Sequence, residues 1–334
     1  MKRSSRIVQS FFFFILFCPI VLVYLCVYMP GETISTDLSP LTEAQRELSS
    51  RLENHVLKLA GEIGERNYGV PEAYNNAADF IAEIFQESGL VPYEEDLGDK
   101  LQYRNIIAEH YGTTHPKEVI VVGAHYDTVR LSSGADDNAS GVAVMLEIAR
   151  YLKKKQFDRT IRFVAFANEE YPHFLTDDMG SLFHAKRSHE REDKIIAMLS
   201  LEMLGYFSDE ADSQSYPSPL NWFYPDKANF IAFVSDFSSR DLLKKSIGLF
   251  RDAMIFPSEG LTAPVALIPD VRRSDQAAFW RYNYPAFMVT DTAAYRYNAY
   301  HNAKDVPDRL DYDSMARITT GLLSVLEGLA RKDS

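Results

Sequence analysis

Three short apolar runs, each followed directly by acidic or histidine residues, constrain this chain more than any other feature. The runs VIVVGA, IRFVAFA and IIAMLSL occupy positions 119–124, 161–167 and 195–201. Their length and their content of Val, Ile and Phe are typical of strands that are buried on both faces of a parallel sheet. Because segments with helical periodicity separate them, we predict a three-layer αβα fold with a central, mostly parallel mixed sheet.

The rest of the chain continues the alternation of strands and helices. Further strands are predicted at Tyr103–Glu109, Phe230–Val234, Val265–Ile268 and Ala286–Thr290. Helices are predicted at Thr42–Arg66, Pro71–Gly89, Ser140–Lys154, Met179–Arg187, Arg240–Ala253, Asp275–Arg281 and Tyr312–Arg331. In such sheets ligands bind beyond the carboxyl ends of the strands, so the functional site is expected at that edge.

Net charge restricts the partners of this protein. The formal net charge at pH 7 is −12, whereas a nucleic-acid-binding surface needs a basic stripe. We therefore predict no nucleic-acid partner. The two cysteines, Cys18 and Cys26, lie within one apolar run near the amino terminus, so the remainder of the chain has no thiol for a disulfide or a metal.

That amino-terminal run, residues 11–29, predicts a membrane anchor. Its nineteen residues would form a helix of roughly 28 Å, close to the ~30 Å hydrocarbon core of a bilayer. Residues 1–10 carry three basic residues and no acid, so we expect them to remain in the cytoplasm and the rest of the chain to lie outside. Residues 30–45 are predicted as a linker and residues 46–332 as the folded domain that carries the candidate functional residues. A cleaved signal peptide is the alternative.

Candidate functional residues follow the three apolar runs. His125 and Asp127 come after the first run, Glu169 and Glu170 after the second, and Glu202 after the third. Since the carboxyl ends of parallel strands meet at one edge of a sheet, we expect these side chains to converge. Two adjacent acids after a buried strand need compensation by a metal ion or by hydrogen bonds.

Two further candidates lie in polar segments. Asp137 belongs to GADDNASG and His301 to YHNAKDVPDRLDY. Taken singly, Asp137 has the ordinary explanation of capping the helix predicted from Ser140, and His301 that of a surface loop residue. Zinc, however, binds His nitrogen and carboxylate oxygen, and the joint pattern predicts a zinc site at the edge of the sheet.

The motifs taken together carry a family resemblance. HYDTV, GADDNASG, AFANEE, LSLEMLGY, RRSDQAAFW and YHNAKDVPDRLDY, in this order, resemble the family-28 zinc metallopeptidases of clan MH. This group contains aminopeptidases and glutamate carboxypeptidases on a phosphorylase/hydrolase-like α/β fold. The resemblance extends from about Leu52 to Leu329.

The resemblance implies a role for each candidate residue. It implies two zinc ions per chain, with the ligands His125, Asp137, Glu170, Glu202 and His301. Asp137 would bridge the two metals, with a cis peptide bond to Asn138. Glu169 would act as the general base, and Tyr300 would hold the oxyanion. Asp127 would orient His125 through a hydrogen bond, and Asp275 would lie behind His301.

Two positions depart from the family pattern. The family usually has Asp where this chain has Glu202, which is one methylene longer. Many related sequences have His where this chain has Gln276, and Gln neither titrates nor binds zinc well.

The resemblance implies a zinc-dependent exopeptidase that hydrolyses peptide or aminoacyl substrates, with an aminopeptidase favoured. One alternative is a glutaminyl cyclase-like acyltransferase with one zinc. Another is a non-catalytic ectodomain of the same fold. The sequence does not indicate an oligomeric state.

Overall fold

A single mixed sheet with helices on both faces organises the chain. The computed structural model describes residues 20–35, 37–98 and 103–332. Within them the strands are β1 Tyr93–Asp96, β2 Arg104–His110, β3 His115–His125, β4 Arg159–Phe166, β5 Lys194–Glu202, β6 Ile231–Ser235, β7 Ser258–Thr262 and β8 Ala286–Thr290. The α-helices are α1 Glu43–Val56, α2 Pro71–Glu87, α3 Gly141–Leu152, α4 Gly180–Glu190, α5 Arg240–Asp252, α6 Gln276–Trp280 and α7 Tyr312–Ala330.

The eight strands lie in the order β1-β2-β4-β3-β5-β8-β6-β7. The pairs β3–β4, β3–β5, β5–β8 and β6–β7 are parallel. The pairs β1–β2, β2–β4 and β6–β8 are antiparallel. The predicted three-layer fold with a mostly parallel mixed sheet is confirmed.

The two faces of the sheet are covered differently. In β3, Ile120 and Val122 join the larger core, which packs against α1, α2, α3, α5 and α7. Val119 and Val121 point to the opposite face, where the core is completed by α4 and α6. This smaller core contains residues of β2 to β5 and β8, while the same face of β6 and β7 lies under loops. Because no α-helix of the described residues packs on this part of the sheet, there is room for a cavity beside the end of β5.

One predicted strand is wrong, and two short strands were missed. Residues 265–268 form a turn, in which the amides of Leu267 and Ile268 donate to the carbonyl of Pro264. Prolines on both sides leave this segment too short to pair with a neighbour. The observed strand nearby is β7, whose sequence SEGLT contains Glu and Gly, both uncommon in strands. The other missed strand, β1, is an edge strand of four residues.

The amino-terminal segment packs along one side of the domain. Met29 is buried, and its Cγ lies 2.6 Å from the point where a Cβ on Gly260 would be. The guanidinium of Arg251 donates to the carbonyls of Pro30 and Gly31 at 3.1 Å each. Among the residues that the structure describes, we find no helix with the length and apolar character needed to cross a bilayer. The predicted tail, residues 1–10, and the first nine residues of the predicted anchor, 11–19, lie outside those residues.

Candidate metal centre

The ends of three strands deliver the predicted residues to one place. His125 is the last residue of β3, Glu202 is the last residue of β5, and Glu169 and Glu170 follow β4 by three and four residues. Asp137 comes from the kinked turn Ala135–Ser140 that precedes α3, and its own backbone there is not helical (φ −105°, ψ 85°). These five residues are buried, and each keeps 8% or less of its surface exposed. Burying so many titratable groups together requires compensation of their charge.

The first group of potential metal ligands is His125, Asp137 and Glu202, whose ligand atoms all lie within 4.8 Å of one another. The Nε2 atom of His125 is 3.3 Å from Asp137 Oδ1 and 3.3 Å from Glu202 Oε2. Ser274 donates its hydroxyl to the same Glu202 oxygen at 2.7 Å. The longer Glu side chain therefore reaches the predicted position and is held there.

The second group is Asp137, Glu170 and His301. The Nε2 atom of His301 is 3.1 Å from Asp137 Oδ2 and 3.3 Å from Glu170 Oε1. Asp137 thus belongs to both groups, with one oxygen facing each histidine. The peptide bond between Asp137 and Asn138 is cis, as the resemblance implies.

The unpaired atoms of this site fit a metal. Both ring nitrogens of His125, Oδ1 of Asp137 and Oε1 of Glu170 are buried and have no hydrogen-bond partner. Burial, joined by the charge of Asp137, raises the pKa of Glu170 to about 7. Burial alone would lower the pKa of His301, but the adjacent carboxylates of Asp137 and Glu170 raise it to about 10. Imidazole and carboxylate donors in two sets of three suit zinc.

Glu169 lies beside the first group rather than within either one. Its Oε2 is 4.0 Å from Nε2 of His125. Burial is the main cause that raises its pKa well above the ordinary value; the charge of His125 opposes this effect, and Glu170 adds to it. A carboxylate with a raised pKa next to a metal site is suited to accept and return a proton.

Asp127 and Asp275 support the His125 side of the site. Asp127 Oδ1 is 3.4 Å from Nδ1 of His125, and the two Asp127 oxygens accept hydrogen bonds from the amides of Glu169 and Glu170, at 3.0 Å each. Burial raises the pKa of Asp275 to about 7, and the nearby charges that modify it are those of His125, Glu202 and Asp127. The position of Asp275 behind His301 stays a prediction.

Tyr300 covers the exposed side of the centre. Its ring stacks on that of His301, with the centroids 3.7 Å apart and an interplanar angle of 21°. Burial, with the charges of Asp137 and Glu170, raises the pKa of Tyr300, so the phenol keeps its proton. Gln276, at the position where many related sequences have His, is buried and donates to the carbonyl of Val271 at 2.9 Å.

Comparison with known proteins identifies the family. The family model for peptidase family M28 matches residues 105–326. The chain belongs to peptidase family M28. It is therefore a hydrolase of the metallopeptidase class.

Individual relatives agree with this assignment. The chain is 36% identical over 289 residues to YfbL of Escherichia coli K12, covering 83% of this chain and 87% of that one. It is 40% identical over 108 residues to aminopeptidase YwaD of Bacillus subtilis, a match that covers 32% of this chain and 22% of YwaD.

Solved structures share the fold. A zinc aminopeptidase from Bacillus subtilis has a TM-score of 0.66 at 16% identity, covering 85% of this chain and 95% of that one. A glutaminyl cyclase from Porphyromonas gingivalis has a TM-score of 0.62 at 18% identity, covering 83% and 97%. At these identities the likeness concerns the fold alone.

Asp305 supports the M28 site and was not predicted. Its Oδ1 accepts hydrogen bonds from the amide of Asp136 at 2.8 Å and from the hydroxyl of Tyr297 at 3.1 Å. Its Oδ2 accepts from the amide of Asp137 at 3.1 Å. A buried carboxylate thus holds the backbone that carries Asp137, the residue that the two candidate groups share. The signal in the sequence was its place four residues after His301 in an acid-rich motif.

Arg66 is the second residue that the sequence did not reveal. Its fully buried guanidinium donates to the carbonyls of Tyr126 at 2.8 Å, Ser133 at 2.7 Å and Gly134 at 2.9 Å, and it also binds two carbonyls that precede it in the chain. Arg66 therefore fastens the loop between His125 and Asp137. A single arginine at the end of a helix gives no sequence signal for this role.

We predict that Asp305→Asn weakens zinc binding by about 10–100-fold, the usual effect of removing a residue that holds a ligand in place. The amide has one acceptor oxygen where the carboxylate has two, so one backbone N–H beside Asp137 loses its partner. Zinc affinity is measured by competition with a chromophoric chelator. The exposed Asp308→Asn is the matched control, and a folded Asp305→Asn protein with wild-type affinity would contradict the assigned role.

Proposed function

We propose that this M28 enzyme is an aminopeptidase that uses two zinc ions and Glu169 as the general base. The observation that carries the proposal is the pair of ligand groups that share Asp137, one with His125 and Glu202 and the other with Glu170 and His301. The names of the Bacillus subtilis relative and of the zinc aminopeptidase with the same fold support it. The buried acids that line the centre favour a substrate with a free, positively charged amino terminus.

Different residues of the chain have separate roles in the proposed hydrolysis. Bound zinc would polarise the scissile carbonyl and lower the pKa of a water. Glu169 takes the proton of the attacking water and returns it to the leaving amine. Tyr300, protonated and close to the ligands, donates a hydrogen bond to the oxygen of the carbonyl as negative charge develops on it.

Glutaminyl cyclase activity is the competing proposal, and the fold does not separate the two, since both enzyme types match with similar TM-scores. A one-zinc enzyme would leave one of the two ligand groups without its metal. A non-catalytic domain is disfavoured because all five predicted ligand positions hold residues that bind zinc.

We expect two zinc ions per chain, and we expect that the ion of the His125 group can be lost while the other ion stays bound. Glu202→Ala should empty the His125 group and leave the ion held by Glu170 and His301. Glu202→Asp should lower the affinity of the His125 group for zinc, because the strand end is placed for the longer side chain. Elemental analysis and zinc titration measure both. Two tight sites in Glu202→Ala would show that Glu202 is not a ligand, and full activity with one ion per chain would overturn the two-zinc proposal.

Glu169→Gln should keep the fold and both metals but lower kcat by about 10²–10⁴-fold, because the amide cannot accept the proton of the water. Steady-state hydrolysis of an aminoacyl p-nitroanilide measures the rate, and zinc content is determined on the same sample. Asp177→Asn, an exposed change in the following loop, is the control. Equal rates for Glu169→Gln and the wild type would remove Glu169 from the mechanism.

The sequence of residues 11–29 supports a further proposal, that the protein is held in a membrane with its catalytic domain on the extracytoplasmic side. Full-length protein should stay with membranes after carbonate extraction, and protease added from outside should digest its catalytic domain. A soluble mature chain that starts near residue 30 would instead identify the segment as a cleaved signal.

A further inference from the structure

A mostly apolar cavity opens directly beside the metal centre. Glu202 and Tyr300 form one end of it, and Phe230, Val234 and Met288 are among the residues that line it. Its volume is about 120 Å³. By the same measure a single water needs roughly 10–15 Å³, so the cavity has room for a side chain of several non-hydrogen atoms.

The floor of the cavity is one row of paired residues across four strands. Glu202 pairs with Thr290, Thr290 with Ala232, and Ala232 with Glu259. Paired neighbours in a sheet project to the same face, and all four residues line the cavity. Three strand spacings separate the ends, roughly 14 Å between the Cα atoms of Glu202 and Glu259. The cavity therefore runs from the metal centre to a second carboxylate.

The Glu259 carboxylate is left with unused acceptor capacity. Its nearest cation, Arg251, is 3.9 Å away, and within the described part of the chain the structure gives Glu259 no hydrogen bond. The guanidinium of Arg251 instead donates to the carbonyls of Ser258, Pro30 and Gly31. The Glu259 side chain is 20% exposed, and burial raises its pKa. This acid lacks a close partner and faces the cavity.

Two tyrosines form an aromatic wall next to this acid. The rings of Tyr216 and Tyr224 stack with centroids 5.7 Å apart. Their hydroxyls donate to the carbonyls of Pro225 and Gly260, which leaves ring surface rather than polar groups along the cavity. Burial is the main cause that raises the pKa of both phenols, and the charge of Glu259, which lines the same cavity, adds to it. Aromatic faces together with a carboxylate attract a cation.

The other charges around the cavity are already paired. At its rim, Arg273 forms an ion pair with Asp270 at 2.7 Å. Arg296, behind the ring of Phe230, donates to Gln214 Oε1 at 2.8 Å and to the Phe230 carbonyl at 2.9 Å. Among the described residues that line the cavity beyond the metal centre, Glu259 is thus the charge that a substrate can pair with.

We propose that this cavity binds the side chain of the substrate's amino-terminal residue and that Glu259, at its far end, selects lysine or arginine. The inference rests on the proposed aminopeptidase function and names its substrate class. The apolar floor and aromatic wall bind the methylene stem, and the carboxylate accepts hydrogen bonds from the ammonium or guanidinium group.

The length of the row suits a long side chain. With the scissile carbonyl at the Glu202 end, an extended lysine reaches roughly 6 Å from its Cα, and a hydrogen bond to the carboxylate spans about 3 Å more. Together they cover about 9 Å of the roughly 14 Å between the two Cα atoms, so the Glu259 side chain has to extend toward the substrate, and only a long substrate side chain comes within its reach. Leucine, with two fewer atoms along its chain, leaves the far end of the cavity empty and Glu259 unpaired. The cavity therefore discriminates by length and by charge.

The test compares p-nitroanilides of L-lysine, L-norleucine and L-alanine with purified, zinc-loaded full-length protein. Norleucine has the stem of lysine without its charge. We expect kcat/KM for lysine to exceed that for norleucine by at least about tenfold, and Glu259→Gln to lower this ratio by about tenfold or more. Glu190→Gln, an exposed change at the carboxyl end of α4 and outside the cavity lining, should leave the ratio unchanged.

A second variant covers the case in which Glu259→Gln does not fold. Ala232→Leu fills the middle of the row and should lower kcat/KM for lysine relative to alanine by about tenfold. Three results would each overturn the inference while the aminopeptidase function stands. The first is that the wild type cleaves the norleucine substrate as well as the lysine substrate, and the second is that folded Glu259→Gln keeps the wild-type lysine-to-norleucine ratio of kcat/KM. The third is a lysine-to-alanine ratio that Ala232→Leu leaves unchanged. Cleavage of none of the three substrates would overturn both.

Discussion

The charge of one buried aspartate governs the organisation of the metal centre. Asp137 directs Oδ1 to His125 at 3.3 Å and Oδ2 to His301 at 3.1 Å, and it is almost completely buried. Burial would raise the pKa of this carboxyl, but the two adjacent histidines hold it below its ordinary value. A buried anion persists only when cations or donors surround it. The two ligand groups are arranged around that requirement.

The surrounding polypeptide fixes the position of this aspartate through its backbone. Arg66 donates hydrogen bonds to carbonyls at both ends of the loop between His125 and Asp137. Asp305 accepts hydrogen bonds from the amides of Asp136 and Asp137. Asp127 does the same for the amides of the Glu169–Glu170 pair. Each of these buried charged groups satisfies several backbone groups in segments that are not helix or sheet. The ligands therefore depend on residues that touch no metal.

The uneven cover of the sheet links the metal centre to the cavity. On one face α4 and α6 protect β2 to β5 and β8, but loops alone protect β6 and β7. A helix there would fill the space beside Glu202, whereas loops leave it open and bring Tyr216 and Tyr224 to its wall. The row of paired residues that begins at Glu202 continues across the sheet through Thr290 and Ala232 to Glu259.

The sequence by itself determined the α/β class and the identity of the candidate ligands, because apolar runs of strand length and the residues that follow them are local signals. His125, Glu170 and Glu202 could be found in this way, since His125 and Glu202 end buried strands and Glu170 follows one by four residues. Strand β7 could not, because SEGLT is short and poor in residues that favour strands. Glu259 consequently had no place in any prediction made from the sequence.

Only the tertiary structure decided which distant groups meet. Arg66 lies far along the chain from the loop it fastens, and Asp305 lies far along the chain from the amides of Asp136 and Asp137 that donate to it. Strand order and register arise from pairing between residues far apart in sequence, and a shift of one residue would turn every side chain of a strand to the other face. That non-local pairing is what aligns Glu202 with Glu259 across the sheet.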